Sequence, residues 1–116
     1  MPAQAKRPKP RAYSRYALEA ALLLGQLVRA GRIERKLSVE ELATRVGVSR
    51  DLVRRIEQGD PRCAIGLVFE AAALVGVPLF EEDQAGLSQR RAEQAAKLRL
   101  LPKAIHKQRA LVKDDF

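Results

Sequence analysis

The sequence predicts an all-α fold: a compact bundle of four to five helices, preceded by a basic arm and followed by a further helix and tail. Three observations lead there. Apolar residues recur at three- and four-residue spacing through most of the interior of the chain. Alanine and leucine dominate while aromatic residues make up only 4%, a composition that favours packed helices over a sheet. Helix start and stop residues also fall where the periodic stretches begin and end. At 116 residues the chain suits one domain with tails better than two domains.

The first sixteen residues, MPAQAKRPKPRAYSRY, contain three prolines and five basic residues without an acid. This stretch has few large apolar side chains and is expected to be a flexible basic arm. Its Lys6, Arg7, Lys9, Arg11 and Arg15 either solubilise the chain or follow a nucleic-acid backbone into the minor groove. From Ala17 to Lys36 the pattern turns helical, with Leu18, Leu22, Gly25 and Val28 on one stripe and Leu24, Leu27 and Ile33 extending it. Gly31 is expected to weaken this helix, bending it or delaying its start.

A second helix begins at LSVEELATRVG. Ser38 can cap it while Glu41 returns the bond three residues on, and Gly47 supplies the stop. Val39, Leu42, Ala43 and Val46 share one face. A third helix follows at once, with Ser49 as cap and Asp51 in the first turn, where a negative charge suits the helix dipole. It ends by Gly59. Two helices about three residues apart with glycine at the corner have helix-turn-helix spacing.

A fourth helix is expected from roughly Ala64 to Val75, with Ile65, Leu67, Val68, Ala72 and Leu74 mostly buried. Pro78 begins a short turn or helix through Leu79 and Phe80. Beyond Gly86, SQRRAEQAAKLRLL reads as an amphipathic helix closed by Pro102, with Ala92, Ala95, Ala96 and Arg99 on its small face. The expected domains are therefore residues 1–16, 17–85 and 86–116.

The third helix carries the functional signal. At about 100° per residue, Leu52, Val53 and Ile56 gather on a core side, and Arg50, Asp51, Arg54, Arg55 and Gln58 gather opposite. Glu57 falls at the border. A solvated face supported by Asp51–Arg55 is one account of this pattern. Major-groove recognition is the other, since a short helix reached by a tight turn from a capped partner is the geometry that enters the groove. Arginine offers paired donors to guanine, whereas a carboxylate among them aids discrimination and opposes affinity for phosphate.

The net charge of +8 points toward a polyanion. Its excess lies in the tails: residues 17–85 hold nine basic against eleven acidic residues, and residues 86–116 hold eight against three. One cysteine, Cys63, rules out an internal disulfide and a cysteine-based zinc site and fits a small buried or half-buried thiol in a reducing compartment. His106 stands in the basic tail with no ligand partner nearby. The sequence contains no phosphate loop, metal-ligand cluster or nucleophile–base set, so no enzyme activity, cofactor or metal is expected. ALEAALLLGQLV is interrupted by Glu19 and Gln26 and is too short to span a bilayer, so a cytoplasmic protein with no membrane partner is expected.

Residues 25–79, about half the chain, resemble the Cro/CI-type (XRE) helix-turn-helix regulators, whose domain is the lambda-repressor-like DNA-binding fold. The likeness rests on LSVEELATRVGVSRDLVRRIEQGDP followed by IGLVFEAAALVGV. It implies that Arg50, Asp51, Arg54 and Arg55 read base edges and that Ser49 meets phosphate; Ser38, Gln58 and Arg62 are further candidate phosphate contacts, although Gln58 could also choose among base edges. It also implies a structural ion pair between Arg32 of the first helix and Glu57. Val39 departs from the pattern, because the family often has a glutamine there that touches the DNA backbone. Contact near Ser38 would then rest on its hydroxyl and the helix-start amides. The stretch IEQGDPRCAIGLVFEAAALVGV and the basic tail ending DDF are further similar to HipB-like antitoxins. That likeness implies a homodimer on a palindromic double-stranded operator, repressing its own operon and neutralising a HipA-like kinase toxin. A stand-alone small regulator of the same family is the alternative.

Overall fold

The computed structural model describes residues 12–105. Lys6, Arg7, Lys9, Arg11, His106 and the DDF end lie outside the described residues. The chain divides into two compact units, residues 1–79 and residues 80–116, and the described residues are helical without a strand.

The first unit holds four helices. α1 spans Arg15–Glu34, and its cap is Ser14, whose hydroxyl oxygen accepts from the Ala17 amide at 3.1 Å. Arg15 is thus the first residue of a helix and pairs with Glu19 at 3.2 Å. The late start expected from Gly31 does not occur: α1 begins at Arg15, before Ala17, and continues through Gly31. Gly31 instead serves close packing. A Cβ there would lie 2.6 Å from the Val75 carbonyl oxygen, and one at Gly25 would lie 2.8 Å from that of Glu57. Two missing side chains let α1 touch the backbone of its neighbours directly.

The buried seam of α1 is accordingly Gly25, Val28 and Gly31, narrower than the apolar stripe in the sequence. Leu22, Leu27 and Ile33 remain substantially exposed. A helix that approaches through glycines has its flanking large residues splayed past the contact, toward solvent.

α2 spans Val39–Val46 and opens with a complete capping box: Glu41 N donates to Ser38 Oγ at 3.0 Å, and Ser38 N donates to Glu41 Oε1 at 2.7 Å. Hydrogen bonds from the Ser38 backbone N–H first, and then from its hydroxyl, hold the Glu41 carboxyl below its ordinary range. Gly47 ends α2 in the left-handed region, at φ 84°, where a Cβ would be strained. α3 spans Arg50–Glu57 and is capped by Ser49, which accepts from the Leu52 amide at 3.1 Å. α4 spans Ile65–Leu74 and has no side-chain cap at Ala64.

These helices enclose a small core of Val28, Leu42, Ala43, Val53, Ile56, Ala71, Ala72 and Val75. Val28, Leu42, Val53 and Val75 are completely or almost completely buried, each stabilising the fold by about 1.5–3 kcal/mol. α4 buries alanines rather than its larger residues. Ile65, expected in the core, is 68% exposed because it stands at the first turn of α4, outside the packed seam. Arg35 donates through Nη1 to the Val75 carbonyl and fastens the end of α1 to the end of α4.

A short 3₁₀ turn, Leu79–Glu81, carries the chain from the first unit into the second. In the second unit α5 spans Gln84–Arg99 and starts before Gly86 because Asp83 caps it, accepting from the Gly86 amide at 2.8 Å. Arg90 reaches back to Glu82 at 3.5 Å and to the Phe80 carbonyl at 3.2 Å. None of the residues of α5 is buried, so its small-residue face covers no core.

Candidate nucleic-acid interface

Only Gly47, Val48 and Ser49 separate α2 from α3. The apolar sides of the two helices meet in one core through Leu42 and Ala43 on α2 and Val53 and Ile56 on α3. This fixes which side of α3 looks outward. Arg50, Asp51, Arg54 and Gln58 are exposed, Arg55 is half-buried, and Leu52 is partly covered against the core.

The four residues expected to read bases differ in their engagement. Arg50 lies 4.0 Å from Glu40, with both side chains mostly in solvent, so the contact contributes little and yields readily. Arg55 Nε lies 3.5 Å from Asp51 Oδ2 one turn back, yet that nitrogen is buried and makes no hydrogen bond. Arg54 has no ion pair among the described residues.

The caps at the turn keep chemistry in reserve. Ser38 and Ser49 use their hydroxyl oxygens to accept from Glu41 and Leu52, which leaves the Ser49 hydroxyl proton to donate, whereas that of Ser38 faces the Glu41 carboxylate. Val39 is half-buried and packs on the core, so it fills space where a glutamine would reach outward. Gln58 is exposed at the end of α3. Arg62 is held by Asp60, which accepts from its backbone amide at 2.9 Å and from Nε and Nη2 at 3.0 Å each. The Arg62 side chain, then its amide, pull the Asp60 carboxyl down to about 2.

Arg32 and Glu57 form a bidentate pair across α1 and α3. Nε donates to Oε2 at 2.6 Å and Nη2 to Oε1 at 3.0 Å, while Nη1 donates to the Leu37 carbonyl at 2.9 Å. The two side chains are 12% and 7% exposed. Glu57 raises the pKa of the guanidinium, first through the hydrogen bonds and less through its charge, against the opposing effect of burial. This pair lines a pocket of about 250 Å³ together with Arg29, Val39, Arg54 and Gln58. Sequence reasoning did not single out Arg29. The available signal was its place three residues before Arg32, on the same side of α1.

Among the described residues no group of three His, Cys, Asp or Glu could hold a metal ion. Burial pushes the Cys63 thiol up, away from the thiolate that reacts. No described helix is long and apolar enough to cross a membrane.

Two capped helices joined through a left-handed glycine, the second turning its arginines away from the shared core, define a DNA-binding regulator of the helix-turn-helix class. The comparison with known families agrees. Residues 23–85, more than half the chain, match the helix-turn-helix domain family, and the chain belongs to it, in its XRE/Cro-like branch. No curated protein and no solved structure matches the chain.

Proposed function

We propose that this DNA-binding regulator is a repressor that reads a palindromic operator as a homodimer. Each copy lays α3 in the major groove, the two about one DNA turn apart. Arg50, Asp51, Arg54 and Arg55 meet base edges, while Ser38, Ser49, Gln58 and Arg62 meet phosphates. The observation that supports this reading is the outward face of α3, where Arg50, Asp51 and Arg54 are exposed and core residues occupy the opposite side. Fluorescence anisotropy with DNA from upstream of the gene and with a scrambled duplex tests it. Arg54→Ala and Arg55→Ala should each lose about 1–3 kcal/mol against the operator and relax base choice. Equal losses on both duplexes would refute base reading by those residues.

The finer role we propose is that of a HipB-like antitoxin. Support comes from the likeness of IEQGDPRCAIGLVFEAAALVGV and of the basic tail ending DDF to that group. The chain then restrains a HipA-like kinase in the cytoplasm as well as repressing its own operon. Co-purification with the product of the adjacent gene tests this. A neighbouring gene that encodes no kinase, or a kinase that does not co-purify, would favour the stand-alone regulator.

A further inference from the structure

Most arginines of the first unit are already engaged by the protein itself. Arg15 pairs with Glu19, Arg32 with Glu57, Arg50 with Glu40, Arg55 with Asp51 and Arg62 with Asp60, and Arg35 is bonded to a carbonyl. Arg29, Arg45 and Arg54 make no ion pair among the described residues; Arg45 stands on α2 outside the lining, whereas Arg29 and Arg54 both line the pocket between α1 and α3. Glu57 is the one carboxylate in that lining, and both of its oxygens are taken by Arg32 at the floor. The pocket therefore carries two positive charges without an ion-pair partner beside a neutral Arg32–Glu57 pair. Gln58 adds an amide donor, and the amino end of α2 begins at Val39 on the rim.

From this arrangement we propose that Arg29 is a phosphate-anchoring residue: with Gln58 it seats one backbone phosphate of duplex DNA in the α1–α3 pocket. The inference rests on the duplex-binding reading above and deepens it, since a phosphate held here would fix how α3 lies in its groove. The volume of about 250 Å³ admits a phosphate with water around it. The planar guanidinium suits its oxygens. A phosphate contact carries no sequence information, so Arg29 contributes equally on any duplex, unlike the residues of α3.

The test measures binding of the full chain to an operator-containing duplex and to a scrambled duplex across a salt series. Arg29→Ala should weaken both by the same factor and lower the slope of log K against log salt by about 1. Arg29→Lys, which retains the charge but loses the fork, should restore most of the slope. Arg91→Ala, removing an equal charge from the exposed face of α5, should change the slope less than Arg29→Ala. An Arg29→Ala chain with wild-type affinity and slope on a duplex that the wild type binds overturns the anchor and leaves duplex binding standing. An equal effect from Arg91→Ala reduces Arg29 to net charge and also overturns it. A wild-type chain that binds neither duplex overturns both readings together. Circular dichroism of each variant establishes that it folds.

Discussion

Alanine in place of Gly25 and alanine in place of Gly66 are the same chemical change inside α-helices, and the structure predicts opposite outcomes. At Gly66 a new Cβ meets nothing within 4 Å. The helix should then gain about 0.5–1 kcal/mol from reduced backbone freedom in the unfolded chain and from propensity. At Gly25 the Cβ would sit 2.8 Å from the Glu57 carbonyl oxygen, 3.0 Å from its carbon and closer still to the Ile56 oxygen. These are backbone atoms, so no rotamer change relieves the clash. α1 would have to lift from α3 by roughly half an ångström or more in an interior packed like a crystal. Overpacking of this kind costs about 1–3 kcal/mol; set against a propensity gain of about 0.5–1 kcal/mol, it leaves a net loss of up to about 2.5 kcal/mol. Since 1 kcal/mol moves the midpoint of a domain this size by about 4–8 °C, Gly25→Ala should melt well below wild type and Gly66→Ala slightly above it. Thermal and urea unfolding followed by circular dichroism at both positions decides. A Gly25→Ala chain as stable as wild type would refute the claim that backbone contact at Gly25 sets the α1–α3 packing.

Two further perturbations follow from the ion pairs. Arg32→Ala strands the nearly buried Glu57 carboxylate and should cost about 3–5 kcal/mol; the double variant Arg32→Met/Glu57→Met should be markedly more stable than the single one in denaturant titrations. A single variant within about 1 kcal/mol of wild type would show that the pair is dispensable. Asp60 has a folded pKa of about 2, below the unfolded carboxylate value near 3.9, so its stabilising effect is present above pH ~4 and is lost as pH falls through about 2. Asp60→Asn should remove that part of the acid sensitivity, and carboxyl NMR titration should place the Asp60 midpoint near 2.

Much of this fold could be read directly, because its local signals are strong. Ser38–Glu41, Gly47 and Ser49 declare the ends of α2 and α3 chemically, and a helical wheel then places Val53 and Ile56 inward. What escaped the reading depends on neighbours distant in sequence. Gly31 looks like a weakness until Val75 is seen against it, and Leu27 and Ile33 look buried until the glycines are seen to make the contact in their place. The start of α5 was missed although Asp83 is an ordinary cap residue, because Gly86 drew the boundary later than the capping bond does. At the site, the border position of Glu57 on the wheel leaves its partner open; Arg32, twenty-five residues earlier, entered through family likeness alone. Arg29 is visible only when α1 and α3 are laid side by side, since the pocket it lines belongs to neither helix on its own.

The direct contact of α1 with the last carbonyls of α3 has one more consequence. With no cushion of side chains at Gly25, and with Glu57 clamped by Arg32, α3 cannot roll without dragging α1 along. On the proposed reading, that coupled pair presents one fixed surface to grooves of different width. Adaptation would then fall to the duplex, whose local pliancy varies with its steps, so favourable targets should be those that bend easily at positions no arginine touches.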